Sequence, residues 1–169
     1  MRVLITAATK HGATGEIAQV IGEALCERGL DPTVLEPERV DTVDGYDAVV
    51  LGSAVYAGHW LKPARELVAR CGDALAARPV WLFSSGPIGE PPYPPDEPYD
   101  TATLTGLLAP RGHRVFPGRL EPSRLSAPER AVVTAMRAPV GDFRDWPAVE
   151  AWAAGIAGAV SGADVAAQA

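Results

Sequence analysis

The chain has 169 residues, of which 47% are hydrophobic and 21% charged, as is usual for one globular domain. Its net charge of -6 argues against nucleic acid as a partner, because no run of lysine or arginine offsets it. No apolar stretch reaches the roughly 18 residues that span a bilayer, so no membrane span is expected. Cys26 and Cys71 lack metal-site spacing, and we expect free thiols in a cytoplasmic protein.

The first predicted element is a buried strand at Val3–Ile5, directly after Met1 and Arg2. We therefore expect the N-terminus to be a core strand and not a signal peptide. A helix follows, because apolar residues then recur with helical spacing, at Ile17, Val20, Ile21, Ala24 and Leu25. The turn between them, Thr9–Thr14, carries two hydroxyls and a glycine. A helix N-terminus leaves backbone N–H groups unpaired and partly positive. The turn therefore predicts an anion site, best matched to a phosphate.

Two interpretations of this turn stand side by side. It lacks the Gly-Lys-Ser/Thr of a Walker A motif and the Gly-x-Gly-x-x-Gly of dinucleotide-binding folds, which favours a monophosphate over larger nucleotides. The alternative is a strand-turn-helix start that binds nothing, which many α/β proteins also have.

The rest of the chain continues to alternate between strands and helices. Further strands are predicted at Thr33–Leu35, Ala48–Gly52, Pro79–Ser84 and Arg114–Gly118. Helices are predicted from about Leu61 to Ala77, from Thr101 to Leu108 after an Asp100 N-cap, from the capping box Ser126–Glu129, and from Trp146 to Val160. The proline-rich stretch Pro91–Pro98 is neither helix nor ladder strand. We expect residues 1–160 to form one domain and residues 161–169 a flexible tail.

This alternation predicts a doubly wound α/β fold with a five-stranded parallel sheet, strand order 2-1-3-4-5, and helices on both faces. In such a sheet, ligands bind at the carboxyl ends of the strands where the strand order reverses, here between the first and third strands. The loops after strands one, three and four therefore converge on one crevice. These loops are Ala8–Thr14, Ser53–Leu61 and Ser85–Tyr93.

Two motifs resemble a known family. The sequence Thr9-Lys10-His11-Gly12-Ala13-Thr14 resembles the phosphate loop of flavodoxins. Together with the run Gly52–Trp60, it is similar to the flavodoxin-like branch that contains the menaquinone-dependent protoporphyrinogen dehydrogenases. The similarity extends from Met1 to Ile156 and is loose between Pro87 and Arg137. It implies the same crevice and an FMN cofactor, whose phosphate is usually held by N–H groups without a cation and whose ring is flanked by the second and third loops.

The three loops supply the expected cofactor-binding residues. They are Thr9, Lys10, His11, Gly12, Ala13, Thr14, Ala54, Val55, Tyr56, Ala57, Gly58, His59, Trp60, Ser85, Gly86, Pro87, Ile88 and Gly89. Tyr56 and Trp60 are candidate surfaces for the flavin ring, the alternative being that both pack on the following helix. Gly58 and Gly86 are candidates for close backbone approach. We expect Lys10 to point to water, and His59 is either a proton donor or a solvated loop residue.

The leading function is an FMN-binding flavodoxin-like redox protein, either an electron carrier or a small flavin oxidoreductase. Its expected partners are a redox protein or a quinone-type acceptor, with a homodimer left open. No catalytic nucleophile and no metal site are predicted from these loops. The region Arg119–Arg144 is shorter and less aromatic than the insertion of the dehydrogenase branch. Whether a porphyrinogen is the substrate is therefore left open. Two alternatives are a deazaflavin cofactor and a non-catalytic interaction domain, the latter favoured by Ala8 and Ala13, which lack side-chain donors.

Overall fold

The computed structural model describes residues 1–89 and 97–167, with side chains described as far as residue 162. The strands are β1 (Arg2–Ala8), β2 (Asp31–Leu35), β3 (Ala48–Tyr56), β4 (His59–Trp60), β5 (Val80–Ser85), β6 (Gly112–Phe116), β7 (Arg119–Leu120) and β8 (Gly141–Asp142). The helices are α1 (Ala13–Cys26), α2 (Lys62–Ala76), α3 (Asp100–Leu108), α4 (Ala127–Ala135) and α5 (Trp146–Ala167), with short 3-10 turns at Pro37–Arg39 and Pro122–Arg124.

The main sheet has five parallel strands in the spatial order β2-β1-β3-β5-β6. This confirms the predicted order 2-1-3-4-5, since β4 is a two-residue strand that pairs antiparallel with β3 outside that path. The register places Ile5 beside Val50, and Val50 beside Trp81. The strand order reverses between β1 and β3, which fixes the crevice at their carboxyl ends.

Helices cover both faces of the sheet, as predicted. On one face, Ile17 and Ile21 of α1 and Val149 and Ile156 of α5 are buried against the strands. On the other face, the buried side chains come from α2 and α3, including Leu67, Leu75 and Leu104. The central strands are covered on both sides, which explains why β1 reads as a continuous apolar run rather than as an alternating one.

The third strand is longer than predicted. It does not end at Gly52 but continues to Tyr56, turns through two residues and returns as β4. The turn residues Ala57 and Gly58 both have positive φ, +49° and +79°, the combination that matches the twist of a tight β-hairpin. Gly52 itself lacks a side chain for a packing reason, because a Cβ there would lie 2.3 Å from the Phe83 ring. The second loop is therefore a tight β-hairpin.

Two other boundaries differ from the sequence prediction. Helix α5 continues to Ala167, so the expected tail from residue 161 is helical for most of its length. Tyr99, and not Asp100, is the N-cap of α3, and no side chain caps that helix. The capping box formed by Ser126 and Glu129 is confirmed. Most of the proline-rich stretch, including Tyr93, lies outside the described residues.

Between β6 and α5 the chain makes an excursion, here called the 117–145 segment. Its ends meet in the β7–β8 pair, where Arg119 lies opposite Asp142. It carries the second 3-10 turn and α4, a helix without a buried residue. Within the described residues, none of the helices combines the length and the apolar character that crossing a membrane requires.

Candidate functional site

A cleft of about 690 Å³, including its open mouth, lies at the carboxyl ends of β1, β3 and β5. The three predicted loops meet there, and a fourth segment, Gly118–Leu125, joins them. The predicted residues that line the cleft are Thr9, Lys10, His11, Ala13, Thr14, Ala54, Val55, Tyr56, Ser85, Gly86 and Ile88. The cleft thus has the location that the strand topology requires.

The turn between β1 and α1 has the geometry of an anion cradle. Gly12 adopts φ +86°, and its N–H donates to Thr9 Oγ1 at 3.0 Å, which closes the turn. Glu16 N–H then donates to the Gly12 carbonyl as the first helical bond. Within the described part of the chain, the N–H groups of Ala13, Thr14 and Gly15 have no acceptor. These donors and the positive end of the helix dipole suit a phosphate.

Two buried arginines from the 117–145 segment hold this turn from behind. Arg119 donates to both carboxylate oxygens of Glu16 at 3.2 Å and to the His11 carbonyl at 3.5 Å. Arg144 donates to Glu16 at 2.6 Å and to the Ala13 carbonyl at 3.3 Å. A trans peptide places its N–H opposite its carbonyl, so an Ala13 carbonyl on the arginine side leaves Thr14 N–H on the other side. The hydrogen bond from Arg144 lowers the pKa of Glu16, which keeps this carboxylate charged.

The side chains of the turn are tied to α4. Lys10 Nζ lies 2.5 Å from Glu129 Oε1, and His11 Nε2 lies 3.2 Å from the same oxygen. The hydrogen bond from Lys10, together with those from Ser126, holds the pKa of Glu129 far below its usual range. Lys10 is exposed, as expected, and its ammonium in addition pairs with Glu129 and lies 5.0 Å from the Tyr56 ring centroid.

Of the two aromatic candidates, only Tyr56 lines the cleft. Its side chain is 40% exposed, and burial raises the pKa of its phenol. Trp60 is 1% exposed and lies in the core, with Nε1 donating to Ser84 Oγ at 2.8 Å. The hairpin register is consistent with this, because Trp60 pairs with Val55, which packs against the same core cluster, whereas the Tyr56 side chain points to the opposite face. Trp60 as a surface for the ring is therefore a wrong prediction.

The tip of the hairpin turns away from the cleft. Ala57, Gly58 and His59 do not line it, and the Tyr99 ring covers Gly58, where a Cβ would lie 2.4 Å from Tyr99 Cε2. His59 is half-exposed, with Nδ1 3.3 Å from Asp100 Oδ2. The close approach expected at Gly58 is therefore made by Tyr99, and His59 is paired outside the cleft.

The loop after β5 is fastened by its backbone to the end of β6 and to the start of the 117–145 segment. Gly86 N–H donates to the Phe116 carbonyl at 3.3 Å, and Gly118 N–H donates to the Pro87 carbonyl at 2.7 Å. A Cβ on Gly118 would lie 3.2 Å from Gly86 Cα, so the two backbones nearly touch. The close approach predicted at Gly86 is thus made by the backbone of Gly118. Pro87 and Gly89 lie beside the cleft-lining Ile88 without lining the cleft themselves.

A serine, a histidine and a glutamate that the sequence prediction did not connect lie in a row next to the site. Ser84 Oγ lies 2.9 Å from His113 Nε2, and His113 Nδ1 lies 3.8 Å from Glu97 Oε1. Burial lowers the pKa of His113. Ser84 is fully buried and already accepts a hydrogen bond from Trp60, so it is not accessible as a nucleophile. The row instead joins β5 and β6 to the hairpin.

The sequence matches the profile of the flavodoxin domain family over residues 4–145. Protoporphyrinogen IX dehydrogenase [quinone] of Escherichia coli strain K12 is 29% identical over 94 residues, which are 54% of this chain and 52% of that protein. The chain therefore spans about half the length of the curated relatives that it matches.

Solved structures share the fold at low sequence identity. A flavodoxin from the domain Archaea superposes with a TM-score of 0.63 at 16% identity, covering 95% of this chain and 99% of the other. The rubredoxin oxygen:oxidoreductase of Desulfovibrio gigas superposes with a TM-score of 0.66 at 13% identity, covering 95% of this chain and 36% of the other. The profile match covers well over half of the sequence, and the cleft lies at the carboxyl ends of the strands, where the strand order reverses. The chain thus belongs to the flavodoxin domain family.

Proposed function

We propose that FMN occupies the cleft with its phosphate against residues 9–14 and its ring beside Tyr56. One observation carries this placement: the unpaired N–H groups at the start of α1 open into the cleft that the loops after β1, β3 and β5 enclose. Unpaired donors at one end and apolar walls along the rest suit FMN, which carries an anionic phosphate at one end and a flat ring at the other. The apolar wall comes from Val55, Ile88 and Leu120.

Bound FMN supplies hydride or electron transfer, and the chain binds, orients and shields it. The N–H groups of Ala13, Thr14 and Gly15 fix the phosphate end. Tyr56 covers the cleft from the hairpin side and excludes water from it. Because both carbonyls behind the turn are held by arginines, the donors keep their orientation before the cofactor binds, which lowers the entropy cost of binding.

We further propose that the protein passes electrons to a redox partner protein or to a quinone-type acceptor in the cytoplasm. The Escherichia coli relative carries the word quinone in its name, which supports the second acceptor class. Cys26 and Cys71 are free thiols, in keeping with a reducing compartment. Steady-state assays of the reduced protein with a soluble quinone and with oxidised ferredoxin-type proteins as acceptors distinguish the two acceptor classes, and sedimentation of the same sample measures whether a homodimer forms.

The test of the cofactor is direct. Protein purified without added cofactor is heated, and the released ligand is identified by its absorption spectrum and mass. The expected result is the two-band spectrum and the mass of FMN. A single-band spectrum with a deazaflavin mass assigns the site to that cofactor instead. A colourless protein that also fails to quench the fluorescence of added FMN overturns the proposal and supports an interaction domain.

Thr14→Val is expected to weaken FMN binding about tenfold, or about 1–2 kcal/mol, because valine removes a hydroxyl at the phosphate cradle without changing the volume. Thr14 is 2% exposed and lines the cleft. The dissociation constant is measured by quenching of flavin fluorescence. Thr105→Val, at an exposed position of α3, is the matched control and should leave the constant unchanged. Equal affinity of the Thr14 variant and the wild type places the phosphate elsewhere.

A further inference from the structure

Four cations surround the N-terminus of α1, and they differ in how far their donors are already used. Arg119 and Arg144 are 7% and 4% exposed. Their guanidinium groups donate to Glu16, to Asp142 and to the backbone carbonyls of the turn. The ammonium of Lys10 is held by Glu129. These three cations have protein partners and serve to hold the turn.

Arg124 is the exception. Its side chain is 49% exposed and lines the cleft. Nε donates to Glu121 Oε2 at 2.5 Å, and among the described residues the two terminal nitrogens have no acceptor. Nη1 lies 3.8 Å from the position that a Cβ on Gly12 would occupy. A guanidinium with free terminal donors therefore stands over the phosphate turn.

Glu121 and the second 3-10 turn fix the orientation of the Arg124 guanidinium. Pro122–Arg124 forms a single tight turn in which Arg124 N–H donates to the Glu121 carbonyl at 3.0 Å. The Glu121 carboxylate then holds Nε of the same arginine and lies 3.5 Å from Arg119 Nε. With Nε fixed, Nη1 and Nη2 are the donors left for a ligand. Paired terminal N–H groups of arginine match the spacing of phosphate oxygens.

We propose that Arg124 makes the cleft select a phosphorylated flavin, its terminal nitrogens donating to the FMN phosphate opposite the α1 amides. This rests on the proposed FMN site and adds a charged contact to a phosphate that the family resemblance implies is held by amides alone. The phosphate then lies between a fixed helix end and one arginine delivered by the 117–145 segment. Discrimination between FMN and riboflavin, which lacks the phosphate, consequently depends on Arg124 as well as on the α1 amides. Binding of the ring, which both ligands share, does not depend on Arg124.

The test compares dissociation constants of FMN and riboflavin, which differ only in the phosphate, by flavin fluorescence quenching. Arg124→Ala is expected to weaken FMN binding about tenfold or more, the usual effect of losing a charge-assisted hydrogen bond, and to change riboflavin binding less than about twofold. Arg124→Lys keeps the charge but lacks the paired terminal N–H groups, so it should bind FMN more tightly than Arg124→Ala and less tightly than the wild type. The salt dependence of FMN binding should also decrease in Arg124→Ala.

Arg137→Ala is the matched control, because it removes the same charge from an exposed position of the same segment. It should leave both constants close to those of the wild type. Equal effects of Arg124→Ala on FMN and riboflavin, or no effect on either, overturn the role of Arg124. Failure of the wild type to bind FMN at all refutes the proposed function instead, so the two failures are distinguishable.

Discussion

Replacing Trp60 with alanine is expected to lower the free energy of unfolding by about 3–5 kcal/mol, the usual cost of removing a buried aromatic side chain. Trp60 is among the largest fully buried side chains and packs in the core between the sheet and α2. Its removal also deprives Ser84 Oγ of the indole donor. Urea unfolding of the FMN-free protein, followed by circular dichroism, measures the change.

Two further variants separate packing at Trp60 from cofactor contact. Trp60→Phe keeps most of the volume and removes the indole donor, so it should cost about 1 kcal/mol through one lost hydrogen bond, because the Ser84 hydroxyl keeps His113 as a partner. Tyr56→Ala, at a half-exposed position in the cleft, should change stability little and weaken FMN binding. If folded Trp60→Ala loses FMN affinity more than Tyr56→Ala does, Trp60 contacts the cofactor and its assignment to the core fails.

Elements set by local periodicity were predictable. Continuous apolar runs such as Val3–Ile5 indicate strands covered on both faces, and the stripes of α1 and α5 indicate helices with one buried side. Once strands and helices alternate, few topologies remain, and the strand order with its crevice follows. The location of the site and eleven of its lining residues therefore needed no long-range information.

Features that depend on register were not predictable. The tight turn at Ala57–Gly58 lacks the Asn-Gly or Asp-Gly signal of a two-residue hairpin, and its alanine takes a φ that alanine rarely adopts. Without that turn, the side of the strand on which Trp60 lies cannot be assigned, because one residue of slip moves every side chain to the opposite face.

Contacts between residues far apart in the sequence were also not predictable. Glu129 reaches His11 across 118 positions, and the sequence around either residue gives no sign of the other. The same holds for Arg124, whose neighbourhood reads as a polar loop. A weak signal exists in the alternation of arginine and glutamate between Arg119 and Arg124, which is unusual for a connection that only links two elements.

These long-range contacts have a common consequence. The phosphate turn is held by Glu129 at its side chains and by two arginines at its carbonyls, and all three residues belong to the 117–145 segment. Folding of that segment and orientation of the phosphate donors are therefore linked. Anything that loosens the segment should weaken phosphate binding before it unfolds the sheet, whose central strands pair independently of it.

Arg144→Ala tests this link and is expected to lower the free energy of unfolding by about 2–3 kcal/mol. The guanidinium is 4% exposed, bonds Glu16 and Asp142, and lies 4.5 Å from the Trp146 ring centroid. Breaking a buried pair costs about 3–5 kcal/mol, and the expected value is smaller because both carboxylates keep contact with water. Arg130→Ala, which removes an exposed arginine of α4, should cost less than about 1 kcal/mol.

The effect of Arg144→Ala should also depend on pH in a defined direction. Hydrogen bonds from Arg144 lower the pKa of Glu16 and of Asp142 in the folded protein. A carboxyl group with a lowered pKa stabilises the fold above its unfolded-state pKa, and the contribution is lost as the pH falls through the folded-state pKa. The difference between wild type and Arg144→Ala should thus be complete at pH 7 and shrink below about pH 4. A difference that stays constant from pH 7 to pH 3 in urea unfolding would mean that Arg144 stabilises the fold by packing on Trp146, without its ion pairs.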